Sequence, residues 1–153
     1  MTKIQALVVS AALVVAMAAP ASAASTDPEV IIYRFPGVTQ LTAQSISTVF
    51  HCTNFSGATE TIRFVTRNFD GSLQTNITAS IDHLATKTAS TRITLSYASI
   101  ILNTTDVTQG TTAVAATSIN IICTAMTIDA TATKPVGVAL RGIRFSPVPG
   151  SQE

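Results

Sequence analysis

Apolar side chains recur at every second position along most of the chain after residue 30, and turn residues break this pattern into short segments. Successive side chains of a β-strand point to opposite faces, so a period of two is typical of strands that bury one face. No segment keeps a helical period for longer than a turn or two. Seven or eight short strands at this spacing predict an all-β fold, either a sandwich or a small barrel, and we expect an antiparallel β-sandwich.

The predicted strands are bounded by proline, glycine and polar residues. Pro36-Gly37 is expected to end the first strand, and Asp70-Gly71 is expected to form a type I′ hairpin turn because both positions tolerate positive φ. The polar residues 103–111 predict a loop, and the apolar run 113–128 predicts the most buried strand. In chain order, the predicted strands cover residues 30–35, 45–53, 61–68, 73–81, 89–96, 99–102, 113–128 and 136–145.

The first 23 residues have the order of a secretory signal peptide. Lys3 precedes a mostly apolar segment over residues 4–19, and Ala21-Ser22-Ala23 supplies the small residues that a signal peptidase accepts. The apolar segment is short for a membrane span. We therefore predict cleavage after Ala23 and a single β-sandwich domain over residues 24–153. The protein is then expected in the periplasm or outside the cell, without a membrane anchor.

Charged residues make up only 11% of the chain, less than half of the usual share of about 25%. Without Lys3, eight basic residues balance eight acidic ones, so the predicted mature domain has no net charge. Threonine, serine, asparagine and glutamine must then cover much of its surface. Because strong binding to nucleic acid depends on neutralising phosphates, we do not expect nucleic acid as a partner.

The chain has two cysteines, Cys52 and Cys123, each inside an apolar predicted strand. Thiols oxidise in the compartment of an exported protein, so we predict one disulfide. We expect it to join the two sheets of the sandwich, with Cys52 on the same face as Phe50 and with Phe64 filling the core beside it. Closing a loop of this size stabilises a fold by roughly 4 kcal/mol in the chain-entropy model.

A metal or catalytic centre is the rival interpretation of the sulfurs and histidines. A copper site would need Cys123, Met126 and one histidine, but Cys123 and Met126 are an odd number of positions apart and so point to opposite faces of a strand. The chain has no Gly-x-Ser-x-Gly motif and its acidic residues are scattered, so we expect no catalytic residues, cofactor or metal. A small secreted hydrolase or metal-dependent enzyme using His51 or His83 is the alternative.

Two arginines give the best candidate for a ligand-binding surface. In the predicted strand 61–68, Arg63 and Arg67 share the face opposite to Phe64, which should be buried. Together with Phe69 they have the chemistry to bind a sugar or a carboxylate. A solvated strand face is the plainer interpretation of the same residues.

The chain resembles small secreted bacterial proteins of uncharacterised function. The resemblance rests on residues 110–129 and 143–153, together with His51-Cys52-Thr53-Asn54 and Asp70-Gly71-Ser72. Its architecture also loosely resembles an immunoglobulin-like sandwich, although the chain has no tryptophan and has Ile121 where the tyrosine of the tyrosine corner would stand. The resemblance implies a secreted sandwich with one cysteine pair and carries over no catalytic residues.

These observations predict an exported, non-enzymatic protein that has a binding or structural role at the cell envelope or outside the cell. Neutral faces rich in threonine suit hydrogen bonding to carbohydrate. An unprotected edge strand could instead recruit a strand of another envelope protein.

Overall fold

A computed structural model describes residues 29–97 and 99–145, and the predicted signal peptide lies outside these residues. All regular secondary structure in this part of the chain is β-strand, which confirms the all-β prediction. Ten strands are described: β1 (Val30–Gln40), β2 (Ile46–Asn54), β3 (Glu60–Arg67), β4 (Leu73–Ile81), β5 (Thr86–Ser90), β6 (Ile100–Ile101), β7 (Val107–Ala116), β8 (Ile121–Asp129), β9 (Gly137–Leu140) and β10 (Ile143–Arg144).

The strands form two five-stranded sheets that share one hydrophobic core. Sheet A has the strand order β10-β1-β7-β3-β4, and sheet B has the order β6-β5-β2-β8-β9. The pairings are antiparallel except that of β5 with the two-residue strand β6, which is parallel. The structure therefore has more strands than the seven or eight predicted, and one pairing differs from the antiparallel expectation.

Both strands beyond the eight predicted segments arise where the chain crosses between the sheets. The predicted strand 113–128 is in fact two strands, because residues 117–120 lead from β7 in sheet A to β8 in sheet B. The predicted strand 136–145 likewise divides at Arg141-Gly142, between β9 in sheet B and β10 in sheet A. A Cβ atom at Gly142 would lie 2.4 Å from Cε1 of Phe35, so this crossing needs glycine unless the buried ring moves.

Other strand boundaries differ from the prediction for local reasons. β1 continues through Pro36-Gly37, because register shifts on either side of Val38 absorb the irregular backbone. β10 pairs with β1 only at Tyr33 and Arg34, so Pro36 lies at an open edge on that side, where proline is tolerated. β5 ends before the predicted limit of residue 96, and β7 begins within the predicted loop.

The predicted hairpin at Asp70-Gly71 is confirmed and joins β3 to β4. Its turn is not of type I′, because only Gly71 of the pair has a positive φ, at 83°. The Gly71 N–H donates to the Asn68 carbonyl at 3.0 Å, and the strand register shifts between Thr66 and Arg67. A type I turn followed by a left-handed glycine accounts for both features.

Three phenylalanine rings join the two sheets. The ring centroid of Phe50, in β2 of sheet B, lies 5.5 Å from that of Phe35 in β1 and 5.9 Å from that of Phe64 in β3. All three rings are fully buried, and aromatic pairs at these separations interact favourably beyond their apolar area. The same core cluster contains Ile32, Tyr33, Val38, Cys52, Ile62, Ile81, Ala89, Leu102, Val114, Ala116, Ile121, Cys123 and Ala125.

Cys52 and Cys123 form the predicted disulfide, but it lies within sheet B instead of joining the two sheets. The two residues are direct partners in the pairing of β2 with β8, and their Cα atoms are 4.1 Å apart. Such a short distance is typical of the non-hydrogen-bonded positions of an antiparallel pair. Met126 pairs with Val49. Because Met126 is an odd number of positions from Cys123 along β8, the two side chains lie on opposite faces of the strand. The bridge therefore fastens two adjacent strands of sheet B on their core side.

Removal of the disulfide tests its contribution to stability. The bridge closes a loop between residues 71 positions apart, which restricts the unfolded chain. The variant Cys52→Ala/Cys123→Ala should therefore lose about 4 kcal/mol of unfolding free energy, measured by urea denaturation. Reductant should lower the denaturation midpoint of the wild type and leave that of the double variant unchanged. The prediction would be contradicted if reductant left the wild-type midpoint unchanged although mass spectrometry showed two free thiols.

Candidate functional site

The outer face of sheet A carries a shallow groove with an alanine floor. Ala113 and Ala115 of β7 face outward, because Thr112 and Val114 of the same strand are buried on its inner face. β1 and β3 flank β7, and their longer side chains enclose a depression of about 370 Å³. The lining, called the arginine groove below, consists of Glu29, Ile31, Arg34, Arg63, Val65, Arg67, Ala113 and Ala115.

One wall of the arginine groove contains Arg34 of β1, which pairs with Ala113. A bulge at Ile32 brings Arg34 to this face, because β1 advances from Ile31 to Tyr33 while β7 advances by one residue. Ile32 and Tyr33 therefore both point into the core, whereas Ile31 and Arg34 both point outward.

The other wall contains Arg63 and Arg67 of β3, which pair with Ala115 and Thr111 of β7. Ile62, Phe64 and Thr66 are buried on the inner face of β3, so the two arginines share the outer face as predicted. They are four positions apart, a distance of about 13 Å along the sheet. The groove thus has one arginine on its first wall and two, spaced along the strand, on its second.

One carboxylate offsets part of the positive charge of the arginine groove. Glu29 forms an ion pair with Nε of Arg63. Arg67 donates from Nη1 to the Gly71 carbonyl at 2.9 Å, and the guanidinium carbon of Arg34 lies 5.5 Å from the ring centroid of Phe145. Between residues 29 and 145, leaving out residue 98, neither Arg34 nor Arg67 is ion-paired with a carboxylate. Three guanidinium groups and one carboxylate give the lining a net charge of +2.

The structure brings two of the three predicted ligand-binding residues together. Arg63 and Arg67 both line the groove, whereas Phe69 lies in the β3–β4 turn, 68% exposed and outside the lining. Arg34 was missed by the sequence analysis because its strand is apolar on both faces. The available signal was that Arg34 is the one charged residue of β1 and must therefore reach solvent.

The two histidines lie outside the arginine groove. His51 is on the outer face of sheet B, with Nδ1 3.0 Å from the hydroxyl of Thr88 and its ring centroid 4.7 Å from that of Tyr97. His83 lies between β4 and β5, and its Nδ1 accepts the N–H of Gly57 at 3.0 Å. In the described ranges, no three side chains of histidine, cysteine, aspartate or glutamate lie close enough to share a metal ion.

Residues 91–97 fold over the outer face of sheet B and cover part of His51. The hydroxyl oxygens of Thr91 and Ser47 are 3.1 Å apart, and the N–H of Leu95 donates to the Ala130 carbonyl at 2.9 Å. Burial under this segment lowers the pKa of His51 below its ordinary value of 6.5, because desolvation disfavours the imidazolium ion. His51 is therefore mainly neutral at pH 7.

Acidification should destabilise the fold through His51. A folded-state pKa below the unfolded value of 6.5 means that the unfolded chain binds the proton more readily, so stability falls as the pH drops below 6.5. We expect the urea midpoint of the wild type to decrease between about pH 7.5 and about pH 5.5. The variant His51→Gln should lose the part of this decrease that His51 causes. The control Asn76→Gln, at an exposed position of β4 in sheet A, should behave like the wild type.

An equal pH dependence in the wild type and in His51→Gln would contradict the prediction. Three aspartates do not titrate in this window, because hydrogen bonds keep their pKa values below the ordinary value of 3.8. The hydrogen bonds run from Ser72 to Asp70, from Thr42 to Asp106 and from Thr131 to Asp129.

Comparison of the chain with protein-family models, with curated proteins and with solved structures found no match. Within the described ranges, the structure has no helix of the length and hydrophobicity needed to cross a membrane. The functional interpretation therefore rests on the geometry and charge of the arginine groove.

Proposed function

We propose that this protein is an exported, non-enzymatic binding protein whose arginine groove holds a carbohydrate that carries carboxylate groups. The observation that supports this most directly is the position of Arg34 opposite Arg63 and Arg67 across a floor of alanine. Three of the six arginines of a nearly neutral chain are gathered at this one place.

The proposal includes export and a β-sandwich architecture. Residues 1–23 are a cleaved signal peptide, and residues 24–153 are one sandwich domain in the periplasm or outside a bacterial cell. The disulfide supports export, because such bridges persist in oxidising compartments. Two sheets with one shared core support the sandwich.

The walls of the arginine groove suit a carboxylate. A guanidinium group presents parallel N–H donors in one plane, which match the two oxygens of a carboxylate. Arg34 and Arg67 make no ion pair with a described carboxylate, so the positive charge of each can attract an acidic ligand. The distance between Arg63 and Arg67 suits a ligand with repeated acidic groups better than one with a single group.

The floor and the rim of the arginine groove suit a sugar. The small alanine side chains make the middle of the groove apolar, although Ala115 itself is only 5% exposed. Ile31 and Val65 add apolar contacts, so the C–H face of a sugar ring can pack between the arginines. Thr78 and Asn76 of β4 are exposed and pair with Arg63 and Val65, so hydroxyl and amide groups lie beside the charged wall. Uncharged hydrogen-bonding groups of this kind bind sugar hydroxyls.

Glu29 is expected to compete with the ligand. Its carboxylate already occupies the Nε of Arg63, so an incoming acidic group gains less from this arginine than from Arg34 or Arg67. Removing the charge of Glu29 should therefore weaken this competition and strengthen ligand binding. Substitution of an arginine of the groove should instead weaken ligand binding, and this contrast tests the proposal.

Isothermal titration calorimetry with polygalacturonate oligomers, which carry one carboxylate on each sugar, tests the proposal. Arg34→Gln should weaken binding about tenfold, because one charge-assisted pair is lost, and Arg34→Gln/Arg67→Gln should reduce it below detection. Glu29→Gln should strengthen binding. Affinity should fall as salt is added, because the attraction is between charges near the surface.

Arg92→Gln is the matched control, since Arg92 donates to the Thr42 carbonyl and does not line the arginine groove. It should bind polygalacturonate like the wild type. Equal binding of a neutral glucan, or equal loss of affinity in Arg92→Gln and Arg34→Gln, would overturn the proposal.

A further inference from the structure

The two sheets have four edge strands, and one of them differs from the rest. β6 and β10 have two residues each, and β9 has four. β4, at the edge of sheet A, has nine residues and no further neighbour in the described part of the chain. Among the described strands, its outer row of backbone N–H and C=O groups is therefore the longest that is left unpaired.

β4 lacks most of the features with which proteins usually protect a sheet edge. Such features are charged side chains, proline, bulges and short length. The sequence of the strand, LQTNITASI, contains no charged residue and no proline. One irregularity lies at its start, where β4 has the extra residue Gln74, but its register with β3 is regular from Thr75 to Ile81. An edge of this kind is a template for another strand.

The hydrophobic core is also incompletely covered along this edge. Five hydrophobic residues are only partly buried although they pack against the core. Four of them lie at the side where β4 and β6 meet solvent: Ile77 and Ala79 in β4, Ala85 between β4 and β5, and Ile100 in β6. The fifth, Leu140 in β9, lies at the opposite side.

We infer that a second copy of this chain pairs with β4 in antiparallel orientation, which joins two copies of sheet A into one ten-stranded sheet. A two-fold symmetric contact of this kind uses the same edge on both copies. The edge suits itself, because nine uncharged positions create no like-charge repulsion and each copy supplies the apolar cover that the other lacks.

The regular part of β4 sets the register of the pairing. An antiparallel pairing centred on the middle of the strand places Ile77 opposite Ile77 of the second copy, and Thr75 opposite Ala79, all within the regular stretch. Inward side chains then meet inward ones, which extends the core across the contact. On the outer face, Asn76 lies opposite Thr78 of the second copy, and Thr78 lies opposite Asn76. These exposed positions are accessible to substitution without disturbing the core.

The mass of the mature protein, residues 24–153, measured by analytical ultracentrifugation over a range of concentrations, tests the inference. The wild type should form a dimer whose dissociation constant rises on the order of tenfold or more in Asn76→Lys/Thr78→Lys, since two pairs of like charges then face each other. Asn76→Glu/Thr78→Lys should restore the dimer, because each glutamate faces a lysine. The control Thr124→Lys, at an exposed position of β8 in sheet B, should leave the dimer intact.

A wild type that stays monomeric at all concentrations would overturn the inference and would leave the edge for a strand of another protein. A dimer that survives in Asn76→Lys/Thr78→Lys would place the contact elsewhere. Failure of Asn76→Glu/Thr78→Lys to recover the dimer, with circular dichroism showing all variants folded, would refute the two-fold register. None of these results depends on whether the arginine groove binds a carbohydrate.

Discussion

The contact of Phe50 with Phe35 and Phe64 is the constraint on which the rest of the structure depends. It holds sheet B against two strands of sheet A that lie on either side of β7. Each of those two rings directly follows an arginine in the sequence. Because neighbouring side chains of a strand point to opposite faces, burying the rings directs Arg34 and Arg63 to the outer face. The core thus determines the walls of the arginine groove.

The disulfide has a related but more local effect. It joins β2 to β8 on the core face of the strand that carries Phe50, at the position two residues after that ring. A bridge between neighbouring strands fixes their register, and in an antiparallel pair a slip of one residue would turn the core side chains to solvent. The bridge therefore maintains the orientation of Phe50 more directly than it maintains the distance between the sheets.

Strand positions and faces were largely predictable from the sequence, whereas the sheet to which each strand belongs was not. The predicted strand 73–81 agrees with β4 at both ends, because turns and strict alternation bound it. The run 113–128 was wrongly predicted as one strand, because β7 and β8 are both apolar strands of the same core. The polar residues Thr117, Ser118 and Asn120 between them were the available signal for the crossing. The same limit misplaced the disulfide, since alternation defines a face and not a sheet. Arg34 was missed because both faces of its predicted strand are apolar. The bulge that places Ile32 in the core, away from the face of Arg34, cannot be seen in a period of two.

The arginine groove and the free edge lie on one sheet, and together they have a consequence for affinity. A shallow site with a net charge of +2 would bind a single acidic sugar weakly. In a sheet continued through β4, the two copies of β7 would be separated by five strand spacings, about 24 Å. Both grooves would open on the same face of that sheet, because the two-fold axis of an antiparallel pairing is perpendicular to it. A polymer with repeated carboxylates that reached both grooves would bind the second at a high effective concentration. Two weak sites on a neutral surface would then select long acidic chains over short ones.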